Sequence, residues 1–308
     1  MFYKKITLIL LFSLFLNANE IKLYFKNNTV TNAQTAILIL EAKNIKEAKL
    51  TFKDKKPINL DFYENPFIKN SYYSLIPISY YQKANKYKVI ISYIKNDKKY
   101  FKSIKLSVIN GEYKSEVINV SKSKFKPNKE RIKRTKQEYK DAMNVYNSKS
   151  KEIFWDKDFI YPLKSKITSS FGTKRLYNNE LKSYHSGTDF RAKIGTNILA
   201  SNDGIVRISQ NRFYSGNSIV IDHGRGVYSC YFHLSKMNYK VGDIISRGDI
   251  LGLSGDTGRI TGPHLHYSFR INSIQVDPLQ AMQILNTLDN NWCYQFFLFK
   301  HFLHIFFI

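Results

Sequence analysis

At 308 residues, with 43% hydrophobic and 23% charged residues, the chain can hold two ordinary domains and is too apolar for wholesale disorder. Its formal net charge of +24 is unevenly spread: residues 1–150 hold 30 Lys and Arg against 12 Asp and Glu, and residues 151–308 hold 18 against 12. So basic a surface favours polyanions, whether nucleic acid, anionic lipid or a carboxylate-rich polymer, and charge alone does not choose among them.

The first residues do choose. Lys4 and Lys5 precede an apolar run from Ile6 to Leu16, and the small residue Ala18 follows, the pattern of a secretory signal over residues 1–18. A run of about 11 residues is too short to cross a hydrocarbon core of roughly 30 Å as a helix; a buried amphipathic strand is the alternative. No Cys follows the cleavage region, so a lipoprotein anchor is not indicated. Export argues against nucleic acid as a partner.

Residues 19–120 read as an accessory domain of short strands. "IKLYF", "TAILILEA", "AKLTF", "YSLIPISY", "YKVIISYI" and "SIKLSVI" are rich in Ile, Val, Tyr and Phe and are separated by Asn, Lys, Asp and Pro clusters. Strands of this length at regular spacing predict a small antiparallel β-sandwich, immunoglobulin-like in kind. This half contains no His and no Cys, so it reads as a folded spacer or docking module.

Residues 121–154 form a basic linker with helical character. Pro127 suits a first helical turn, and Ile132, Tyr139, Met143 and Tyr146 recur at intervals of three, four and seven. The positive face reads as solvated, with an electrostatic hold on an anionic wall as the alternative.

From residue 155 to residue 288 Gly becomes frequent and "NSIVIDHG", "GVYSCYFH" and "PHLHYSFRI" read as strands of an antiparallel sheet, with helical periodicity only around Leu279 to Leu285. Residues 289–308, "WCYQFFLFKHFLHIFFI" at their end, are almost wholly apolar; a membrane-surface contact and an extra strand both fit them. Cys230 and Cys293 make no disulfide framework and lack the spacing of a Cys-based zinc site, so both read as structural.

Three short motifs carry the chemistry. In "GPHLHY", His264 and His266 are two apart, so on a strand they share a face, and one could ligate a metal while the other trades a proton. In "HSGTDF", His185 and Asp189 offer an imidazole and a carboxylate across a Ser-Gly-Thr turn. These donors suit zinc at about 2.0–2.2 Å, and with one strand His they leave a fourth position open, which distinguishes a catalytic zinc from a structural one. In "YSCYFHL", His233 is either a half-buried sheet histidine or a third element of the same site. His223, before a Gly turn, reads as a structural hydrogen-bonding residue.

The stretch from Ile167 to Pro278, with "HSGTDF", "YFHLSKM" and "GPHLHYSFRI" in this order and Gly-rich spacing, resembles the lysostaphin/LytM-type zinc metalloendopeptidases. The resemblance implies one zinc ion held by His185, Asp189 and His266 in a groove on an antiparallel sheet. It implies that His264 and His233 stand beside the activated water as the catalytic pair. It further implies peptidoglycan as substrate, with hydrolysis of peptide cross-links or stem peptides, the D-alanyl-diaminopimelate bond being expected in a Gram-negative periplasm. No motif residue is missing, which separates this chain from relatives that lack ligands and only activate other wall enzymes. A catalytically silent wall-binding regulator is the alternative, and a general exported protease acting on Gly-rich proteins is a second.

Overall fold

The computed structural model describes residues 21–118, 128–177 and 180–288, so the expected signal segment, the Phe-rich tail and Cys293 lie outside the described residues. The chain is mainly β, in agreement with its sequence, with two helices among the described residues, Lys129–Asn147 and Pro278–Leu285.

Nine strands build two facing sheets in the N-terminal half. One is ordered Lys22–Phe25, Thr35–Glu41, Ser71–Pro77 and Tyr63–Glu64; the other is Thr29–Thr31, Lys98–Ile109, Asn85–Lys95, Ile45–Phe52 and Ile58–Asp61. Thr29–Thr31, Ile58–Asp61 and Tyr63–Glu64 escape a reading of the sequence because runs this short show no periodicity. The sandwich is not wholly antiparallel, contrary to expectation: Thr29–Thr31 runs parallel to Lys98–Ile109. The chain passes from the edge of one sheet to the edge of the other within three residues, and so keeps its direction.

Thr35–Glu41 reads T-A-I-L-I-L-E, without alternation, because both of its faces are buried. Leu38 and Leu40 meet Leu50, Val89, Ile91 and Leu106 inside the sandwich. Ile37 and Ile39, with Tyr73 and Leu75, face the other way and join Tyr267, Phe269, Val276 and Ala281 in one continuous cluster. The two halves therefore share a core, and each such side chain contributes roughly 1.5–3 kcal/mol. Polar contacts fix the register of this contact: the Gln280 side chain accepts from Thr35 N–H at 2.8 Å and donates to the Thr35 carbonyl at 2.9 Å, and Asn272 donates to the Leu75 carbonyl at 3.1 Å.

The strand Ser115–Ile118 lies outside the sandwich. It pairs in parallel with Lys174–Tyr177, which forms a hairpin with Glu180–Tyr184. The helix Lys129–Asn147 follows, capped by the Asn128 side chain, which accepts from Glu130 N–H at 2.8 Å. Ala142 and Tyr146, four apart, bury against Val220, Tyr228 and Cys230. Tyr139, expected on the apolar face, is 64% exposed.

The C-terminal half is built on a ten-stranded antiparallel sheet whose main path runs Ile167–Ser169, Thr188–Arg191, His264–Ile271, Val227–Met237, Gly216–Asp222, Gly204–Arg212 and Ile244–Ile245, with Asn197–Leu199, Ile250–Ser254 and Ile274–Val276 pairing off it. The central strand His264–Ile271 alternates strictly. Along His264–Ile271, Leu265, Tyr267, Phe269 and Ile271 are buried in the shared cluster, which leaves His264, His266, Ser268 and Arg270 on the opposite face. The helix Lys129–Asn147 packs on that second face.

Candidate active site

Three neighbouring strands carry the chemistry. Asp189, on Thr188–Arg191, is directly opposite His266 on His264–Ile271, and His266 in turn is opposite Phe232 on Val227–Met237. His185 enters from the loop after the hairpin, held there by its backbone: its N–H donates to the Thr173 carbonyl and its carbonyl accepts from Gly172 N–H, both at 2.8 Å.

His185 Nε2 lies 3.0 Å from Asp189 Oδ1 and 3.1 Å from His266 Nδ1, and His266 Nδ1 lies 2.8 Å from Asp189 Oδ1. His185 Nδ1 donates to the Ser170 carbonyl at 2.9 Å, so in the neutral ring Nε2 presents a lone pair. An imidazole lone pair and a carboxylate oxygen aimed at one another repel unless a cation sits among them. The donor types suit zinc, and the 2.8–3.1 Å edges are a few tenths of an ångström shorter than the spacing of about 3.3–3.6 Å set by bonds of about 2.0–2.2 Å to a tetrahedral metal, so the three atoms need open only slightly around an ion. The three residues thus form a His/Asp cluster with the geometry to hold a metal ion.

Electrostatics agree with that arrangement. Burial by itself pushes the Asp189 carboxyl up, but hydrogen bonds and charge from His185 and His266 outweigh it and hold the group ionised far below the ordinary carboxylate range. Burial depresses His266, with Asp189 opposing, so its ring favours the neutral form that binds metals.

His264 and His233 flank the cluster. His264 Nδ1 donates to the Gly262 carbonyl at 2.8 Å, and its Nε2 is 3.7 Å from Asp189 Oδ1. His233 Nδ1 donates to the Thr257 carbonyl at 2.9 Å, and the His233 ring centroid is 5.0 Å from that of His264 and 6.0 Å from that of His266. Each ring thus commits Nδ1, and its Nε2 has no hydrogen bond among the described residues. Burial depresses the His233 imidazole to about 4, the Thr257 carbonyl only partly opposing it.

His233 is on this face only because the strand breaks its alternation. Tyr231 points into the core and Phe232 lies parallel to the His266 ring, 5.5 Å between centroids, so regular alternation would turn His233 towards the core. Instead, the four residues from Tyr231 to Leu234 oppose the three from Asn217 to Ile219, a β-bulge, and His233 takes a left-handed backbone with φ +64°. Phe232 and His233 then both face the groove, and Leu234 returns to the core. Nothing in Tyr-Phe-His-Leu announces this bulge.

Two further residues serve the site. Thr257 holds His233 through its carbonyl, and its hydroxyl accepts from Asn217 N–H and donates to the Leu234 carbonyl. Gly187 lies so close under the cluster that a Cβ there would meet His266 Nε2 and the Tyr267 carbonyl, each at 2.5 Å. The glycine between the two motif residues in His-Ser-Gly-Thr-Asp was the available signal. His223 stands apart: fully buried, it donates from Nδ1 to the Asp203 carbonyl and accepts at Nε2 from Ser229, both at 2.7 Å.

Comparison with known proteins bears on the same region. Residues 183–278 match the family model described as Peptidase family M23. Over 124 residues the chain is 44% identical to the peptidoglycan DD-endopeptidase ShyA of Vibrio cholerae, an alignment covering 39% of this chain and 29% of that one. Over 117 residues it is 37% identical to the DD-carboxypeptidase/endopeptidase Mpg of Neisseria meningitidis, covering 38% and 27%. The matched stretch is thus under a third of either relative. A solved chain from Pseudomonas aeruginosa, described as a candidate M23 peptidase, superposes with a TM-score of 0.59 over 79% of this chain and 92% of its own at 24% identity, a likeness of fold.

Proposed function

We propose, from the premise that this chain carries a peptidase family M23 domain over residues 183–278, that it is a zinc-dependent endopeptidase cutting peptide cross-links or stem peptides of peptidoglycan. The observation that carries the reading is the convergence of His185 Nε2, Asp189 Oδ1 and His266 Nδ1 beside two histidines whose Nε2 has no hydrogen bond among the described residues. In this reading His185, Asp189 and His266 hold one zinc ion, and His233 and His264 are the catalytic pair. Residues 1–18 direct export, and the wall polymer of a Gram-negative periplasm is the substrate, with the D-alanyl-diaminopimelate bond as the one cut.

Zinc so held supplies Lewis-acid polarisation of a carbonyl and an acidified water. The protein's own part is proton handling and placement. His233 is neutral at physiological pH, and with Nδ1–H committed to Thr257 its Nε2 is poised to take a proton. His264, oriented likewise by the Gly262 carbonyl, can return one to the departing amine or donate to a developing oxyanion. General acid–base work of this kind contributes about 10²–10⁴-fold. The bulge fixes both rings on one side of the ligands. Small residues around the site (Ser186, Gly187, Gly262) leave room for an extended peptide.

The test uses the purified full chain with intact sacculi and, separately, casein, followed by mass spectrometry of the released muropeptides. Sacculus products that vanish with EDTA, return with zinc and are missing for His266→Ala support the reading. An unchanged muropeptide profile under zinc-replete conditions defeats it and leaves a wall-binding regulator; cleavage of casein alone points to a general exported protease.

A further inference from the structure

Next to the metal-binding cluster, on the same face of the sheet, is a cavity of about 170 Å³ that shares its wall with the site. Ser186, Phe232 and Ser268 line both. Ser186 follows His185 in the chain, Phe232 lies parallel to the His266 ring, and Ser268 is two residues past His266 on its strand. Across from them the helix Lys129–Asn147 closes the cavity with Tyr139 and Tyr146.

Two guanidinium groups enter this space, and no Asp or Glu lines it. Arg270 is held flat against the Tyr146 ring, 4.4 Å from its centroid, with Nη1 donating to the Ser273 carbonyl at 2.7 Å and Nη2 to Gln275 Oε1 at 3.3 Å. Arg212 Nη2 donates to the Glu138 carbonyl at 3.0 Å, whereas its Nε–H is buried and meets no acceptor among the described residues. The other titratable groups in the lining are Tyr139, Tyr146 and Cys230, the last two pushed up by burial. The cavity is therefore doubly cationic, floored by hydroxyls and adjacent along the strand to the His/Asp cluster.

We propose that this cavity is a subsite for a carboxylate of the substrate peptide, with Arg212 and Arg270 as its recognition residues. A planar anion with two acceptor oxygens satisfies the orphaned Arg212 donor and both positive charges, which a neutral or cationic side chain does not. The helix Lys129–Asn147 acquires a role by the same geometry: it supplies the wall that holds Arg270 in place, so the segment between the two halves helps shape the substrate groove. This assignment rests on the peptidase reading above and narrows it to carboxylate-bearing peptides.

The test measures kcat and KM of the zinc-loaded full chain on three cross-linked peptides: one with all carboxylates free, one with the side-chain carboxylate nearest the bond amidated, and one with the terminal carboxylate amidated. One of the amidated forms is expected to lose about tenfold or more in kcat/KM through KM, the size of a lost charge-assisted contact, and which form suffers identifies the carboxylate that binds. Arg212→Gln, with zinc content as the check on its fold, is expected to bring the free-acid peptide down to the level of that amidated form, and Arg212→Lys to restore the preference only in part. Equal cleavage of all three peptides, or a preference that survives Arg212→Gln, overturns the subsite while leaving the peptidase reading intact. Failure to cleave any peptide or sacculi removes both.

Discussion

Gly187 and His266 are so close that the smallest side chain at position 187 would stand 2.5 Å from the imidazole Nε2. Real Cβ atoms do not approach other atoms this closely, and the Tyr267 carbonyl at the same distance is backbone, so the strain cannot be shed by rotating a side chain. The ring of His266 would have to tilt away from Asp189 and His185. Gly187→Ala is expected to weaken zinc binding by about 10–100-fold, the usual range when the support of a ligand is disturbed. Competition against a fluorescent zinc chelator measures this, and wild-type affinity in the variant would show that the site tolerates the shift.

The two histidines outside the ligand cluster should separate from it experimentally. His233→Asn, chosen because Asn tolerates the left-handed backbone found there, is expected to keep its zinc and to lose about 10²–10⁴-fold in kcat. His266→Ala is expected to lose both metal and activity. Metal content by mass spectrometry beside turnover decides the matter; loss of zinc from His233→Asn would make His233 part of the ligand set.

Tyr80, from the N-terminal half, stacks on Tyr184 with ring centroids 3.8 Å apart and 7° between planes, and its hydroxyl donates to the Gly172 carbonyl at 3.0 Å. Tyr184 precedes His185, and Gly172 N–H is bonded to the His185 carbonyl. The sandwich therefore buttresses His185 directly. Tyr80→Phe should cost about 1 kcal/mol for the lost hydrogen bond, whereas Tyr80→Ala should cost about 3 kcal/mol or more. Urea denaturation reads both, and two equal, negligible shifts would mean the stack carries no load.

His223 makes stability depend on pH. Burial depresses its imidazole from 6.5 to about 4, so the unfolded chain takes up a proton at a higher pH than the folded one does. Stability is then complete above about pH 6.5 and falls as pH drops towards 4, by at most about 3 kcal/mol at 1.36 kcal/mol per pK unit. In EDTA, to exclude metal loss, the urea midpoint of the wild type should fall over this interval more steeply than that of His223→Gln. Parallel curves would assign the fall to other groups.

What the sequence determined alone is the chemistry it can carry. The residue types and spacing of His-Ser-Gly-Thr-Asp and His-Leu-His name donors suited to a metal, and the period-two pattern of His264–Ile271 puts His264 and His266 on one face whatever surrounds them. Strand character was legible wherever four or more β-formers ran together, because local sterics and burial decide it.

Tertiary structure decided the rest, since contacts between residues far apart in sequence leave no local pattern. Only the register of three strands sets Asp189 opposite His266 and Phe232 beside it. Only the bulge after Tyr231 turns His233 from the core to the groove, and it is stabilised by Thr257 and Ser215, which come from other loops. The continuous apolar run of Thr35–Glu41 signalled burial on two faces but could not say that the second face belongs to the C-terminal half; that assignment exists only once Ile37, Ile39, Tyr73 and Leu75 meet Tyr267 and Phe269 in a common core.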